Sequence, residues 1–101
     1  DVYTALAESY TKAKEYTIRV SKKFLNKDDR VLIIDDFLAK GKAFFGLNEI
    51  VRQAGATLCG FGVCIEKGFQ EGGRIIRSMG VHIESLAIVE LDAYGKIVFN
   101  H

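Results

Sequence analysis

Four apolar residues, two acids and a glycine loop constrain this chain more than anything else in it. The stretch is Val31-Leu32-Ile33-Ile34-Asp35-Asp36-Phe37-Leu38-Ala39-Lys40-Gly41-Lys42-Ala43. Val31 to Ile34 is mostly β-branched and apolar at both alternating positions, which predicts a fully buried central strand. Asp35 and Asp36 are expected to end it. From Ala43 to Ala54 the apolar residues 44, 47, 50, 51 and 54 follow helical spacing. An α/β protein builds an anion site from such parts, at the carboxyl end of a strand. The loop presents backbone N–H groups at a helix N-terminus, and the helix dipole adds to their pull on a phosphate. Gly41 allows a turn that a Cβ would hinder, and Lys40 and Lys42 add charge.

Each part also has a plainer reading. The loop alone is a connector with two solvated lysines. The acids alone are a solvated carboxylate and a helix N-cap. Yet two adjacent carboxylates repel each other unless something pairs with them. Adjacent strand residues point to opposite sides, so the two acids would flank a ligand. Ribose hydroxyls or a divalent cation would satisfy both. On the residues alone, the two readings are evenly balanced.

Upstream, residues 2 to 11 and 15 to 25 alternate and are rich in Tyr, Thr, Val and Ile, which predicts a β-hairpin turning at Lys12-Ala13-Lys14. Thr17-Ile18-Arg19-Val20-Ser21 has the pattern of a half-exposed ribbon, and Asn26-Lys27-Asp28-Asp29 reads as a turn. Downstream, Gly55 stops the helix. Thr57 to Ile65 is a second buried strand, whose Gly60 and Gly62 suggest close approach of a helix or ligand. Gln70 to Ser78 reads as a short helix, weakened by Gly72 and Gly73. His82 to Val89 is a third strand. Lys96 to Phe99 is a fourth, after an Ala-Tyr-Gly turn. The order is hairpin, then β-α-β-α-β-β, with parallel strands and right-handed crossover helices.

With 101 residues, 49% of them apolar, the chain suits one small domain with a real core. A formal net charge of +1 gives no argument for nucleic acid or a membrane surface. No signal peptide and no run of membrane-spanning length is visible. Cys59 and Cys64, five apart in one strand, point to opposite faces and so neither bridge nor share a metal. Two small buried apolar side chains is the favoured reading, and unpaired thiols fit a cytoplasmic setting. The sheet is thin, and further strands are expected upstream of Asp1.

Taken whole, the stretch from Val31 to Ala43 resembles the phosphoribosyl-diphosphate signature of the type I phosphoribosyltransferases. Gly46-Leu47, Arg52-Gln53-Ala54-Gly55-Ala56, Ile65-Glu66-Lys67-Gly68-Phe69-Gln70 and Val81-His82-Ile83-Glu84-Ser85-Leu86-Ala87 resemble the bacterial xanthine-accepting members, as does Ser9-Tyr10-Thr11-Lys12. The resemblance covers nearly the whole chain and about the C-terminal half of the family's length. It implies a partial type I fold, Rossmann-like, with residues 1 to 25 as a flap or hairpin segment and 26 to 101 as the core part of one domain.

The resemblance also implies a function. The enzyme would join xanthine to phosphoribosyl diphosphate with Mg²⁺, giving xanthosine monophosphate and pyrophosphate. It would work in the cytoplasm as a homodimer. Ala39, Lys40, Gly41, Lys42 and Ala43 would hold the 5′-phosphate. Asp35 and Asp36 would face the ribose hydroxyls and favour the developing positive charge. Lys67 would meet the exocyclic oxygen of the purine, and Phe69 would stack on the base. The residues' own alternatives are a snorkelling lysine and a core aromatic. Lys40-Gly41-Lys42-Ala43 departs from the Thr-Gly-Gly-Thr of most members and the Asn-Gly-Gln of many xanthine enzymes. The pyrophosphate loop and the N-terminal base-recognising segment have no counterpart here, so the 101 residues alone are expected to be nearly inactive. The alternatives are a purine-responsive repressor that senses phosphoribosyl diphosphate, and a guanine or hypoxanthine enzyme.

Overall fold

The structure, a computed structural model, describes residues 1 to 8 and 15 to 100. The elements are β1 (Val2–Glu8), β2 (Glu15–Ser21), β3 (Arg30–Leu38), α1 (Lys42–Ala54), β4 (Thr57–Lys67), α2 (Gly72–Ser78), β5 (Ile83–Leu91) and β6 (Ile97–Asn100). The expected turn at Lys12-Ala13-Lys14 lies outside the described residues. Two compact units form, Asp1–Ile33 with Lys42–Cys59, and Ile34–Gly41 with Gly60–His101.

In the first unit β1 and β2 pair antiparallel, Val2 opposite Ser21 and Ala7 opposite Tyr16. Ile18 and Val20 turn inward while Thr17 and Arg19 stay exposed, as the alternation requires. The strand ends at Ser21, short of the expected Leu25, where a turn closes with the Phe24 N–H donating to the Ser21 carbonyl. Helix α1 buries Phe44, Gly46, Ile50, Val51 and Ala54. Gly46 lets the hairpin approach: a Cβ there would stand 3.0 Å from both Ala7 Cβ and Ile18 Cδ1. Beside it the Gln53 side chain acts as a strand partner for Thr4, donating to its carbonyl at 2.7 Å and accepting from its N–H at 3.3 Å. Gly55 ends the helix at φ 70°, the left-handed position that favours glycine. The turn at Asn26 to Asp29 is confirmed, its Asn26 and Asp29 side chains accepting backbone N–H groups at 2.8 Å.

The later strands form a sheet in the order β3, β4, β5, β6. In the second unit, β4 and β5 run parallel, with Phe61 opposite Ile83 and Ile65 opposite Ala87, and α2 makes the crossover between them. β6 returns antiparallel to β5. That hairpin is closed by Asp92, whose carboxylate accepts the N–H groups of Tyr94 and Lys96 at 2.8 and 2.9 Å. Leu38, Phe61 and Ile76 are the largest fully buried side chains of this unit, each worth about 1.5–3 kcal/mol of burial.

Three expectations are corrected. The acids do not end β3, which continues through them to Leu38; the alternation breaks after Asp35, where Asp36 and Phe37 are both exposed and Leu38 is buried. Val31 to Ile34 is not buried on both faces. β3 is an edge strand, and Leu32 and Ile34 are 60% and 65% exposed. Cys59 and Cys64 are free, as expected, but exposed rather than buried. Alternation along β4 turns Cys64 away from the face of Phe61 and Val63; Cys59 shares that face but lies toward its uncovered end. The other boundaries shift by one or two residues at each end, where fraying and cap geometry decide. Gly62 is closely approached, but by the Ile34 side chain of the neighbouring strand rather than by a helix or ligand.

Candidate functional site

The second unit carries the acids, the first part of the glycine loop, and the segment after β4. Asp35 is half-buried and Asp36 exposed. Each carboxylate turns toward the next residue along the chain: the Asp36 N–H donates to Asp35 Oδ1 at 2.8 Å, and the Phe37 N–H to Asp36 Oδ1 at 2.9 Å. Burial raises the Asp35 carboxyl above its usual range. The Asp36 N–H works against that rise, while the side chain and charge of Asp36 add to it. The pair is therefore electrostatically costly as it stands, and hydroxyl donors or a positive charge would relieve it.

Ala39 is buried, Lys40 exposed, and Gly41 buried with φ 84°. Gly41 thus fills the left-handed role predicted for it. Lys42 and Ala43 open α1, whose first N–H groups have no partner within the helix. Lys67 is the last residue of β4, and its ammonium lies 5.6 Å from the centre of the Phe37 ring. The chain then turns, the Gln70 N–H donating to the Lys67 carbonyl at 3.0 Å. Phe69 sits on that turn, 39% exposed. The Lys67–Phe37 contact brings the C-terminal ends of β3 and β4 together, with the acids just before Phe37 and Phe69 just after Lys67 in the chain. Among the described residues, no group of three or more His, Cys, Asp or Glu converges to hold a metal.

Behind these strand ends lies a buried ionic cluster. Glu66 is 4% exposed. Arg77 of α2 grips it with two hydrogen bonds, of 2.6 and 2.7 Å, and the Ser85 hydroxyl of β5 donates to it at 2.7 Å. The hydrogen bond from Arg77 is the main reason that the Glu66 carboxyl lies below its usual range. The cluster ties α2 to both strands that it connects.

The chain matches curated proteins along nearly its whole length. It is 52% identical over 99 residues to "Xanthine phosphoribosyltransferase" of Ruminiclostridium cellulolyticum, covering 98% of this chain and 52% of that protein. With the protein of the same name from Lachnoclostridium phytofermentans it shares 58% over 101 residues, covering 98% and 52%. Along the matched length the chain is similar to phosphoribosyltransferases. It spans about half the length of the curated relatives it matches. Its fold is the family's type I fold. The APRTase of Giardia lamblia, solved in complex with 9-deazaadenine, superposes with a TM-score of 0.76 at 26% identity, over 87% of this chain and 49% of that one. No family model matches the chain.

The sequence alone singles out the acids, the loop, Lys67 and Phe69. It does not single out Phe37, which directly follows the acids within a β3 that runs on to Leu38. It also missed the Glu66–Arg77–Ser85 cluster, whose three members are 8 to 19 residues apart and carry no local pattern. The doubled glycine at 72 and 73 is visible in the sequence, where it reads only as a weakness in a helix.

Proposed function

We propose that the protein transfers a phosphoribosyl group from phosphoribosyl diphosphate to xanthine, in purine salvage. The observation that supports this reading most is the contact of Lys67 with Phe37, the residue next to Asp35 and Asp36 on β3. The named xanthine relatives support the choice of base. In the reaction a purine ring nitrogen forms a bond to the anomeric carbon of the ribose. The bond from that carbon to the pyrophosphate oxygen breaks, pyrophosphate leaves with the electron pair, and the purine N–H proton passes to solvent.

Backbone N–H groups of residues 39 to 43 bind the 5′-phosphate, and Lys40 and Lys42 add charge. Asp35 and Asp36 accept hydrogen bonds from the ribose hydroxyls. Their negative charge favours the oxocarbenium-like sugar as pyrophosphate departs. Lys67 donates to the exocyclic oxygen of the base, and Phe69 stacks on its ring. Positioning and charge stabilisation account for the rate, with no dedicated acid or base. The donor set suits Mg²⁺ bound chiefly by the substrate's diphosphate, with at most one or two carboxylates nearby. There Mg²⁺ would neutralise charge on the leaving group.

The same reading places the enzyme in the cytoplasm, as a homodimer. Two free thiols fit a reducing compartment, and the exposed β3 edge offers apolar surface for a partner. Among the described residues, no helix is long and apolar enough to cross a membrane. The test is xanthosine monophosphate formation from xanthine and phosphoribosyl diphosphate by the protein that carries this chain. Loss of turnover in Asp36→Asn and a raised KM for xanthine in Lys67→Ala are expected. Turnover with adenine but none with xanthine contradicts the reading.

A further inference from the structure

The start of α2 touches the glycine loop directly. The Gly72 N–H donates to the Ala39 carbonyl at 2.8 Å. A Cβ on Gly72 would collide with that Ala39 oxygen, and would stand 2.7 Å from both the Gly41 nitrogen and the Lys40 carbonyl carbon. All three are backbone atoms of the loop, so no side chain can swing aside to make room. Gly72 does not have the positive φ that Gly41, Gly55, Gly80 and Gly95 have. Space, not backbone conformation, excludes a side chain here. In a helix, Ala would otherwise be favoured over Gly by roughly 1 kcal/mol.

The opposite side of the same turn is also held. A Cβ on Gly73 would collide with a carboxylate oxygen of Glu66 and stand 2.8 Å from Arg77 Nη1. The first turn of α2 is thus wedged between the loop and the Glu66–Arg77 pair. Only four residues connect Lys67 and Gly72, so the purine end and the phosphate end of the site share one short strut.

We propose that Gly72 is a positioning residue for the 5′-phosphate. Its backbone braces residues 39 to 41 in the conformation that receives the anion, and its missing side chain is what lets the loop sit there. This rests on the phosphate-loop reading given above. The test is a titration with ribose 5-phosphate of the protein that carries this chain, followed by amide NMR, for the native protein and for Gly72→Ala. In the native chain the amides of residues 39 to 43 shift on binding. In Gly72→Ala the amides of 39 to 41 are already displaced without ligand, and affinity falls by roughly tenfold to a hundredfold. The β4 and β5 signals and the melting temperature stay close to native. Native-like loop amides and native affinity in Gly72→Ala would overturn the proposal and leave the phosphate site standing. No shift in the native chain's loop would instead overturn the phosphate-loop reading. If Gly72→Ala fails to fold, exchange at the native Gly72 amide decides: ribose 5-phosphate should slow it several-fold, and an unchanged rate contradicts the brace.

Discussion

Two buried or half-buried carboxylates behave oppositely, and pH separates them. Glu66 is held below its usual range by Arg77, then by Ser85. Its contribution to stability is therefore present above the ordinary carboxylate range and is lost as pH falls through the lowered value. Arg77→Met leaves that carboxylate buried without its partner. It should cost about 2–4 kcal/mol at neutral pH, toward the low side because Arg77 is partly exposed. The cost should shrink in acid, as Glu66 protonates. Denaturant unfolding of both chains at pH 7 and pH 4 measures this. Asp35 is raised by burial and by Asp36. Its contribution is present below the ordinary Asp range and is lost as pH rises, so at neutral pH it is a liability. Asp35→Asn keeps the acceptor for the Asp36 N–H and removes the repulsion. It should stabilise the fold at pH 7, by roughly 0.5 kcal/mol after solvent screening, while weakening ribose 5-phosphate binding. A variant that is less stable at pH 7, with affinity intact, would mean that the acids serve the fold rather than the ligand.

Element by element, local patterns were readable where one residue or one period settles the matter. Helix α1 followed from its spacing and from Gly55, and the β1–β2 hairpin from alternation. The β5–β6 turn was readable from Ala93-Tyr94-Gly95, although Asp92 holds it. Asp92→Ala removes the acceptor for two N–H groups. It should cost about 1 kcal/mol and speed hydrogen exchange at residues 97 to 100 with little change in β4. Val31 to Ile34 has the composition of a central strand, and the thinness of the sheet around it already pointed to an open side there. What was not readable was the exposure of Cys59 and Cys64, because composition favours small thiols inside and does not show what covers each face of β4. Both thiols should react with a thiol reagent in the folded chain without denaturant; a protected pair would contradict their exposure. Of the candidate site, the motif residues were legible because they are contiguous. The cluster behind them was not, because it exists only once α2 has crossed between β4 and β5.

At the scale of the molecule, the 101 residues expose much apolar surface. Ile34, Phe37 and Leu86 in the second unit are 65%, 52% and 84% exposed. Exposed contiguous apolar surface and open strand edges mark places where something else binds. The isolated chain should self-associate as its concentration rises, and a double Ile34→Lys, Leu86→Lys variant should do so less, as read by sedimentation. The measurement that bears most directly on the whole account is a titration of the 101-residue chain with xanthosine monophosphate, the proposed product, followed by amide NMR. The account predicts that residues 35 to 43 and residues 67 to 69 shift together along one binding curve, because phosphate, ribose and purine lie across a single sheet edge. Shifts confined to other residues, or none at millimolar nucleotide, would contradict it.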